Sequence, residues 1–249
     1  MYVKTMENTV KNKPLVRFTI GSVTKFGFDC LKRAIKQIQK LYPCDITVCF
    51  NCDKKHVKYL KKELNVFLFD QSVHLNDDLT PMGVAWKLYP PRLDINRHEI
   101  IIDNDIILES TIDEIDDFLS CDDHCLMLQG ISRTYGRFEK HVPANLMINS
   151  GLFGLPPGFD FATYVKNHAG NNWEENATGI HSESVTFDEQ GLVALILSNQ
   201  KHFLIPNTTI TNCERKLMRG KGMHFIGLNR WKRHEPYSEW LMSQQKFHL

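Results

Sequence analysis

Two aspartates with unusual neighbours, Asp103 and Asp105, lie in the segment 98–108. The apolar triplets beside them, Ile100–Ile102 and Ile106–Leu108, form a run typical of a strand buried on both faces of a parallel sheet. Carboxylates rarely lie in such surroundings unless they are paired or bind a cation, so Asp-x-Asp at a strand end indicates a divalent metal with oxygen ligands. The alternative is a polar turn, because Asp-Asn-Asp is ordinary turn chemistry. Taken alone, the triplet favours the turn, since short acidic motifs recur by chance.

The first half of the chain alternates between strand patterns and helix patterns. Apolar residues recur at helical spacing between residues 28 and 41, and Pro43 follows as a stop signal. This alternation predicts a parallel sheet with right-handed crossovers. The predicted strands are 15–22, 46–50 and 65–69, then the strand that carries Asp103, and the predicted helices are 28–41 and 54–64.

Small and polar residues follow several of these strands. Gly21, Asn51 and Asp70 lie at predicted strand ends, as do Asp103 and Asp105. In an open α/β sheet, ligands bind at the carboxyl ends of the strands. The shared position of these residues therefore favours the metal interpretation of the aspartate pair.

The second half of the chain is less regular. Residues 84–93 have a helical pattern that two prolines interrupt, and Ser110 or Thr111 is expected to cap the acidic helix that follows. The polar loop 167–184, which contains Trp173, is long enough to act as a lid. The other predicted elements are helices 111–119, 161–166 and 188–198 and strands 126–130, 146–154, 202–205 and 223–226.

The chain shows no internal repeat and no clear linker. We therefore predict one α/β domain over residues 1–249, with residues 1–13 as a polar N-terminal extension. Its central sheet is expected to be mixed, mostly parallel and Rossmann-like, flanked by helices.

The composition is that of an ordinary soluble globular protein, with 42% hydrophobic and 24% charged residues. A net charge of +1 argues against a nucleic-acid partner, because nucleic-acid binders are usually strongly basic. No segment approaches the roughly 18 consecutive apolar residues of a transmembrane helix. The polar N-terminus lacks the apolar core of a signal peptide, so we predict a cytoplasmic protein.

The cysteines are 7 in number, which with no export signal predicts reduced thiols. Two local groups have zinc-ligand chemistry: Cys49 with Cys52, and Cys121 with His124 and Cys125. Their spacings match no standard zinc framework, and cysteines within apparent strands are commonly buried free thiols. We therefore expect no structural zinc from these groups.

Four segments, in order along the chain, resemble motifs of one enzyme family. The strand that ends in Asp-x-Asp at 103–105 is followed by Asn-Ser-Gly-Leu-Phe-Gly at 149–154, Asp-Glu-Gln-Gly-Leu at 188–192 and His-Phe-Ile-Gly-Leu-Asn-Arg at 224–230. Together they resemble the glycogenin-like, family 8 type glycosyltransferases, which have the GT-A fold, and the resemblance spans about residues 15–233. It implies transfer of a sugar from a nucleotide-sugar, with a UDP-sugar favoured, to a glycan or other hydroxyl acceptor.

The resemblance also implies a metal site formed by Asp103, Asp105 and His224. Mn²⁺ and Mg²⁺ prefer carboxylate oxygens, and Mn²⁺ accepts an imidazole as well. A cation that bridges the two phosphates of the donor stabilises the charge of the departing diphosphate. We therefore expect Mn²⁺, or Mg²⁺, as the cofactor.

Further roles implied by the resemblance concern the donor and the reacting sugar. Glu189, Asp188 and Gln190 are the candidate catalytic residues: an acid would act as general base in an inverting reaction, and Gln190 or a phosphate oxygen would assist in a retaining one. The alternative for Asp188 is helix capping. Glu189 and Gly191 stand where the family has aspartates, and Arg230 stands where it has lysine. The residues expected to contact the donor are Thr19, Ile20, Gly21, Asn51, Arg92, Asp103, Asn104, Asn149, Ser150, Gly151, Lys221, Gly227 and Arg230.

Two other classes of function remain as alternatives. A sugar nucleotidyltransferase also combines an α/β sheet with metal-binding carboxylates, but it usually begins with a glycine-rich phosphate loop, and the segment 21–27 has few glycines. A non-catalytic α/β nucleotide-binding module would contain 103–105 simply as a turn. Metal-dependent turnover of a nucleotide-sugar distinguishes a transferase from both.

Overall fold

The computed structural model describes residues 13–21, 23–52, 54–71, 83–169, 185–228 and 234–246. The strands are β1 (Leu15–Ile20), β2 (Asp45–Phe50), β3 (Phe67–Asp70), β4 (Glu99–Asp103), β5 (Ile106–Leu108), β6 (Cys125–Gln129), β7 (Ile148–Leu155), β8 (His202–Ile205), β9 (Ile210–Asn212) and β10 (Gly222–His224). The helices are α1 (Lys25–Leu41), α2 (Lys54–Leu64), α3 (Asp113–Ser120), α4 (Phe161–Ala169), α5 (Val185–Ser198) and α6 (Glu235–Lys246). Two 3₁₀ helices span Gly83–Leu88 and Gly136–Phe138.

A 7-stranded sheet in the order β3-β2-β1-β4-β7-β6-β8 forms the centre of the fold. Strand β7 runs antiparallel to β4 and β6, while the other paired strands of this sheet are parallel. A second sheet of 3 strands has the order β5-β10-β9. The mixed, mostly parallel α/β architecture is the one that the sequence predicts.

Helices cover both faces of the large sheet, because its strands are apolar on both sides. On one face, α1 and α2 pack against β1, β2 and β4, and α6 contacts Asp29 of α1 and Phe225. On the other face, α4 and α5 pack against β4, β6 and β7. Helix α1 begins after Thr24, whose Oγ1 accepts a hydrogen bond from the backbone N–H of Gly27 at 3.1 Å, and it buries the face of Leu31, Ala34, Ile35 and Ile38.

The apolar run around the aspartate pair differs from the prediction of a single buried strand. Strand β4 ends at Asp103, a turn follows at residues 104 and 105, and β5 begins at Ile106 in the other sheet. The turn and the clustering of carboxylates are therefore both present, because the turn is what directs the chain from one sheet to the other.

Other boundaries also differ from the predictions. Helix α3 has Ile112 at its N-cap position, with no side-chain cap from Ser110 or Thr111. The region 84–93 is helical only as the 3₁₀ helix that ends at Leu88. Helix α5 begins at Val185, so Asp188 lies within its first turn. Strand β9 and helix α6 lie in regions where the sequence pattern was too weak to predict them.

The predicted lid, including Trp173, falls mostly outside the described residues. In the part of the chain that the structure covers, no helix has the length and apolarity needed to cross a bilayer.

Candidate active site

Asp103, Asp105 and His224 come together where the two sheets meet. Asp103 is the last residue of β4, and Asp105 closes the turn that leads into β5. Strand β10 pairs antiparallel with β5, placing His224 opposite Ile106. The N–H of Phe225 then donates to the carbonyl of Asp105 at 2.9 Å, which holds the imidazole beside that aspartate.

The three side chains form a compact group of possible metal ligands. One ligand atom from each of Asp103, Asp105 and His224 lies within 4.8 Å of the others, and His224 Nε2 is 3.4 Å from Asp105 Oδ1. Asp105 and His224 are buried, whereas Asp103 is partly exposed. This O,O,N donor set suits Mn²⁺ and also suits Mg²⁺ through its carboxylates.

Two further observations test whether the group fits a cation. His224 Nδ1 is buried and has no hydrogen-bond partner among the residues that the structure describes. Gly151 lies directly beside the group: a Cβ at that position would be 2.7 Å from His224 Cε1 and 3.2 Å from Asp103 Oδ2. A larger residue would fill the space that the three ligands share, so the residues present fit a bound divalent cation.

A buried lysine, Lys87, connects this group to a third acid. Its Nζ lies 2.7 Å from Asp103 Oδ1 and 3.6 Å from Glu189 Oε1, and it donates to the carbonyl of Ser150 at 3.3 Å. Burial alone would lower the pKa of Lys87, but Asp103 and Glu189 outweigh that effect and raise it. Lys87 is therefore a fixed positive charge between the two acids.

The family resemblance predicts Arg92 as a donor contact, but the structure directs Arg92 away from the aspartates and brings Lys87, from the same segment, beside them. Arg92 donates to the carbonyls of Phe159 and Arg97 at 2.6 Å each, and its Nε is 3.9 Å from Glu99 Oε2. Glu99 begins β4, so Arg92 lies at the end of the strand opposite to Asp103. The position of Lys87 follows from the backbone path of the 3₁₀ helix, which the proline-interrupted pattern did not reveal.

Lys221 is also directed away from the metal group. It precedes β10, and its Nζ contacts Asp113 Oδ1 at 3.1 Å on the protein surface. The antiparallel register puts Lys221 beside Glu109, at the far end of β10 from His224. Arg230 lies outside the described residues.

The Asn-Ser-Gly segment of β7 forms one wall of the site. Asn149 Oδ1 accepts from the N–H of Gly151 at 2.7 Å. Ser150 Oγ donates to Glu189 Oε2 at 3.1 Å, and Gln190 Oε1 accepts from the N–H of Ser150 at 3.4 Å. Strand β7 and the first turns of α5 are thereby joined through Ser150, Glu189 and Gln190.

Of the three candidate catalytic residues, only Glu189 faces the acids and Lys87. Gln190 donates to both the carbonyl and Oγ1 of Thr134, at 3.0 and 2.8 Å, so its amide holds Ser150 in place. Asp188 Oδ1 accepts from the backbone N–H of Arg137 at 2.8 Å and its Oδ2 is 3.5 Å from Arg137 Nε. Asp188 thus caps the 3₁₀ helix at 136–138 rather than its own helix.

The first strands contribute a second group of polar residues. Thr19 is in register with Asp103, and its buried Oγ1 has no partner in the described part of the chain. A Cβ on Gly21 would be 2.9 Å from Asn51 Oδ1, so the ends of β1 and β2 touch there. Ile20, in contrast, packs into the apolar core.

The remaining predicted donor contacts, Asn104 and Gly227, have local structural roles. Asn104 Nδ2 donates to the carbonyl of Gly27 at 3.4 Å and so ties the turn to α1. Gly227 has φ of 78° in the turn that the Leu228 N–H closes onto the Phe225 carbonyl at 3.0 Å. A positive φ at this position of a turn favours glycine.

The glycine that replaces a family aspartate, Gly191, has a packing explanation. A Cβ at Gly191 would lie 2.1 Å from the carbonyl oxygen of Tyr135, which is backbone and cannot rotate away. Helix α5 therefore packs so closely against the residues that lead into the 3₁₀ helix 136–138 that position 191 has no room for a Cβ.

Substitution of Gly191 by alanine tests this packing, because helix propensity predicts a higher free energy of unfolding and the steric clash predicts a lower one. Propensity alone would make Gly191→Ala more stable by about 1 kcal/mol. The clash predicts instead that Gly191→Ala lowers the free energy of unfolding by about 1–3 kcal/mol, and that Gly191→Asp lowers it further. Urea unfolding measures the difference, and a stabilised Gly191→Ala protein would contradict the close packing.

Glu189 gives the metal-free protein a specific pH dependence. Burial raises the pKa of Glu189 to about 7 from an ordinary value of 4.5, although Lys87 opposes the shift. Between these values the folded state binds more protons than the unfolded state, so this residue's contribution to stability falls as the pH rises from 4.5 to 7.

We expect the substitution Glu189→Gln to abolish this fall in stability between pH 4.5 and 7. Relative to wild type, the variant should gain stability as the pH rises from 4.5 to 7, by up to about 3 kcal/mol. Chemical unfolding in chelator at several pH values measures this gain, and substitution of the exposed Glu63 by Gln serves as the control. A difference between Glu189→Gln and wild type that does not change with pH would count against the assignment.

The sequence matches no family model and no curated protein. The architecture of the large sheet, with the Asp-x-Asp turn after β4, is the GT-A glycosyltransferase fold and resembles the family 8 type. The galactosyltransferase LgtC, solved with donor and acceptor sugar analogues, is 11% identical with a TM-score of 0.57, over 92% of this chain and 95% of that chain. The apo-form glycosyltransferase GlyE of Streptococcus pneumoniae TIGR4 is 11% identical with a TM-score of 0.55, over 93% of this chain and 64% of that one. At these identities the similarity establishes the fold.

Proposed function

We propose that this protein is a metal-dependent glycosyltransferase that moves a sugar from a nucleotide-sugar to a glycan or other hydroxyl acceptor. The observation that carries the proposal is the convergence of Asp103, Asp105 and His224 at the carboxyl end of β4, in a GT-A fold. In α/β sheets of this kind, ligands bind at that edge. A UDP-sugar is the favoured donor because of the family 8 resemblance.

Different residues of the site would bind the cation and the nucleoside. Asp103, Asp105 and His224 would hold Mn²⁺ or Mg²⁺, and the cation, when bound, would neutralise the charge that develops on the donor diphosphate. Gly151 leaves room beside the ligands. Thr19, Gly21 and Asn51 lie at the neighbouring strand ends and supply polar groups for the nucleoside.

The sugar is expected to lie between β7 and the start of α5. Ser150 Oγ lies 3.1 Å from Glu189 Oε2, and the ammonium of Lys87 lies between Asp103 and Glu189. In the metal-free protein burial raises the pKa of Glu189 to about 7, a value that suits a carboxyl which holds or releases a proton near neutral pH. Glu189 is our candidate for the acid nearest the anomeric carbon.

Donor screening with turnover tests the proposal. The protein should unfold at a higher temperature with a matching nucleotide-sugar plus Mn²⁺ than with either alone, because a ligand that binds only the folded state stabilises it. It should also release the nucleoside diphosphate from that donor slowly in water and faster with an acceptor. Pyrophosphate release from a nucleoside triphosphate and a sugar phosphate would instead indicate a nucleotidyltransferase. Stabilisation by the donor without turnover in any acceptor screen would indicate a binding module.

A further inference from the structure

A second group of metal-ligand side chains lies at the opposite edge of the large sheet. Cys121, Asp123 and His124 occupy the short connection between α3 and β6. This connection precedes β6, and β6 runs in the same direction as β4, so it lies at the amino-terminal edge of the sheet. The candidate active site lies at the carboxyl-terminal edge and is unrelated to this group.

The three ligand atoms are close to one another. Cys121 Sγ is 3.0 Å from both Asp123 Oδ1 and His124 Nδ1, and these last two atoms are 2.7 Å apart. Tetrahedral zinc with bonds of about 2.0–2.3 Å separates its ligand atoms by roughly 3.3–3.6 Å. Each separation therefore needs to grow by only about half an ångström, which small side-chain rotations on this connection can supply.

Neighbouring residues orient these ligands as an outer shell would. Lys201 Nζ binds Asp123 Oδ2 at 2.7 Å, which leaves Oδ1 facing the thiol and the imidazole. The His124 ring stacks on Phe203, with centroids 4.9 Å apart and an interplanar angle of 26°. Outer contacts of this kind fix the orientation of metal-binding carboxylates and imidazoles.

The preceding aspartate, Asp122, does not belong to this group of ligand side chains. It lies on the other side of the connection, with its Oδ1 3.6 Å from His98 Nε2. Only one of the two adjacent aspartates therefore joins the group with Cys121. The Asp123 side chain is 60% exposed, so an ion can enter from solvent.

We propose that Cys121, Asp123 and His124 bind a divalent cation of the zinc type, with a solvent molecule as the fourth ligand. A thiolate beside an imidazole selects Zn²⁺ over Mg²⁺ and Mn²⁺, which prefer oxygen ligands. Three protein ligands and an open position describe an accessible site rather than a closed structural one. The cation would join the end of α3 to the start of β6, and through Lys201 to the start of β8.

Cobalt titration of the full-length chain tests this assignment, because a thiolate gives cobalt a charge-transfer band in the near ultraviolet. We expect wild type, stripped of metal by chelation, to develop this band with one equivalent of Co²⁺ and to lose it on addition of Zn²⁺. Cys121→Ser should abolish the band, and His124→Gln should weaken cobalt binding at least tenfold. Near-ultraviolet circular dichroism of each variant checks that the fold is intact.

Two control variants separate this group from other ligands. Asp105→Asn removes a ligand of the candidate active site and should leave the thiolate band unchanged. Cys44→Ser removes another partly exposed thiol and should also leave it unchanged. A band that persists in Cys121→Ser, or the absence of a band in folded wild type, would overturn the proposal and leave the three side chains as a hydrogen-bonded cluster.

Discussion

Asp105→Asn is expected to lower nucleotide-sugar turnover at least about a thousandfold while the protein stays folded. The change is nearly isosteric and removes one charged oxygen from the group formed with Asp103 and His224. A metal ion contributes several kcal/mol of charge stabilisation, and about 4 kcal/mol corresponds to a factor of a thousand in rate. Release of the nucleoside diphosphate, measured at saturating Mn²⁺, gives the rate.

A matched substitution elsewhere on the surface controls for the loss of one negative charge. Asp117 is exposed on α3 and is not one of the three clustered ligands, so Asp117→Asn should retain the activity of wild type. Asp105→Asn should also lose the Mn²⁺-dependent rise in unfolding temperature, whereas Asp117→Asn should keep it. An active, metal-responsive Asp105→Asn protein would refute the proposed role of this aspartate.

Arg17→Met is expected to lower the free energy of unfolding by about 3–5 kcal/mol, the largest stability effect that we predict. Arg17 and Glu99 are fully buried on neighbouring strands, with Nε and Oε1 3.2 Å apart. The guanidinium also donates to the carbonyls of Pro90 and Lys87, at 2.5 and 3.1 Å. Its removal leaves the buried Glu99 with Arg92, whose Nε is 3.9 Å away, as its remaining charged partner, and it leaves these carbonyls without their donor.

Two comparisons separate this mechanism from a general effect of arginine loss. In Arg33→Met an exposed pair with Asp29 is lost, which should cost no more than about 1 kcal/mol. In the double variant Arg17→Met/Glu99→Met the buried carboxylate that lost its nearer partner is also absent, so part of the stability should return. Urea unfolding of the four proteins measures both, and an Arg17→Met variant as stable as Arg33→Met would rule out the buried pair as a major contribution.

The same pair has a consequence for the active site. Through the carbonyl of Lys87, Arg17 fixes the backbone of the 3₁₀ helix that directs the lysine at Asp103 and Glu189. Gln71 adds a hydrogen bond to the carbonyl of Trp86 at 2.9 Å. Arg17 of β1 and Gln71, which follows β3, thus determine where the one buried ammonium of the described site lies.

The sequence by itself determined the alternation of elements and the edge of the sheet where chemistry would occur. Apolar runs and helical spacing are local properties, so the strand and helix segments of the first half were predicted to within a few residues. Asp103 and Asp105 drew attention because carboxylates beside apolar triplets are costly unless they have a partner, and their strand-end position and the order of the four family-like motifs then favoured a metal site over a turn. The first of these arguments needs only neighbouring residues.

The family resemblance predicted that His224 joins the two aspartates, and the tertiary structure showed how it does so and which other side chains lie beside them. His224 reaches Asp105 through the antiparallel pairing of β10 with β5, a contact between residues far apart in sequence. Lys87 rather than Arg92 enters the site because a 3₁₀ helix and a buried arginine set its direction. Glu189 faces the acids, whereas Asp188 beside it turns to the 136–138 helix. Neighbours in sequence point to different faces of a helix, and which face meets the site depends on packing across the whole fold.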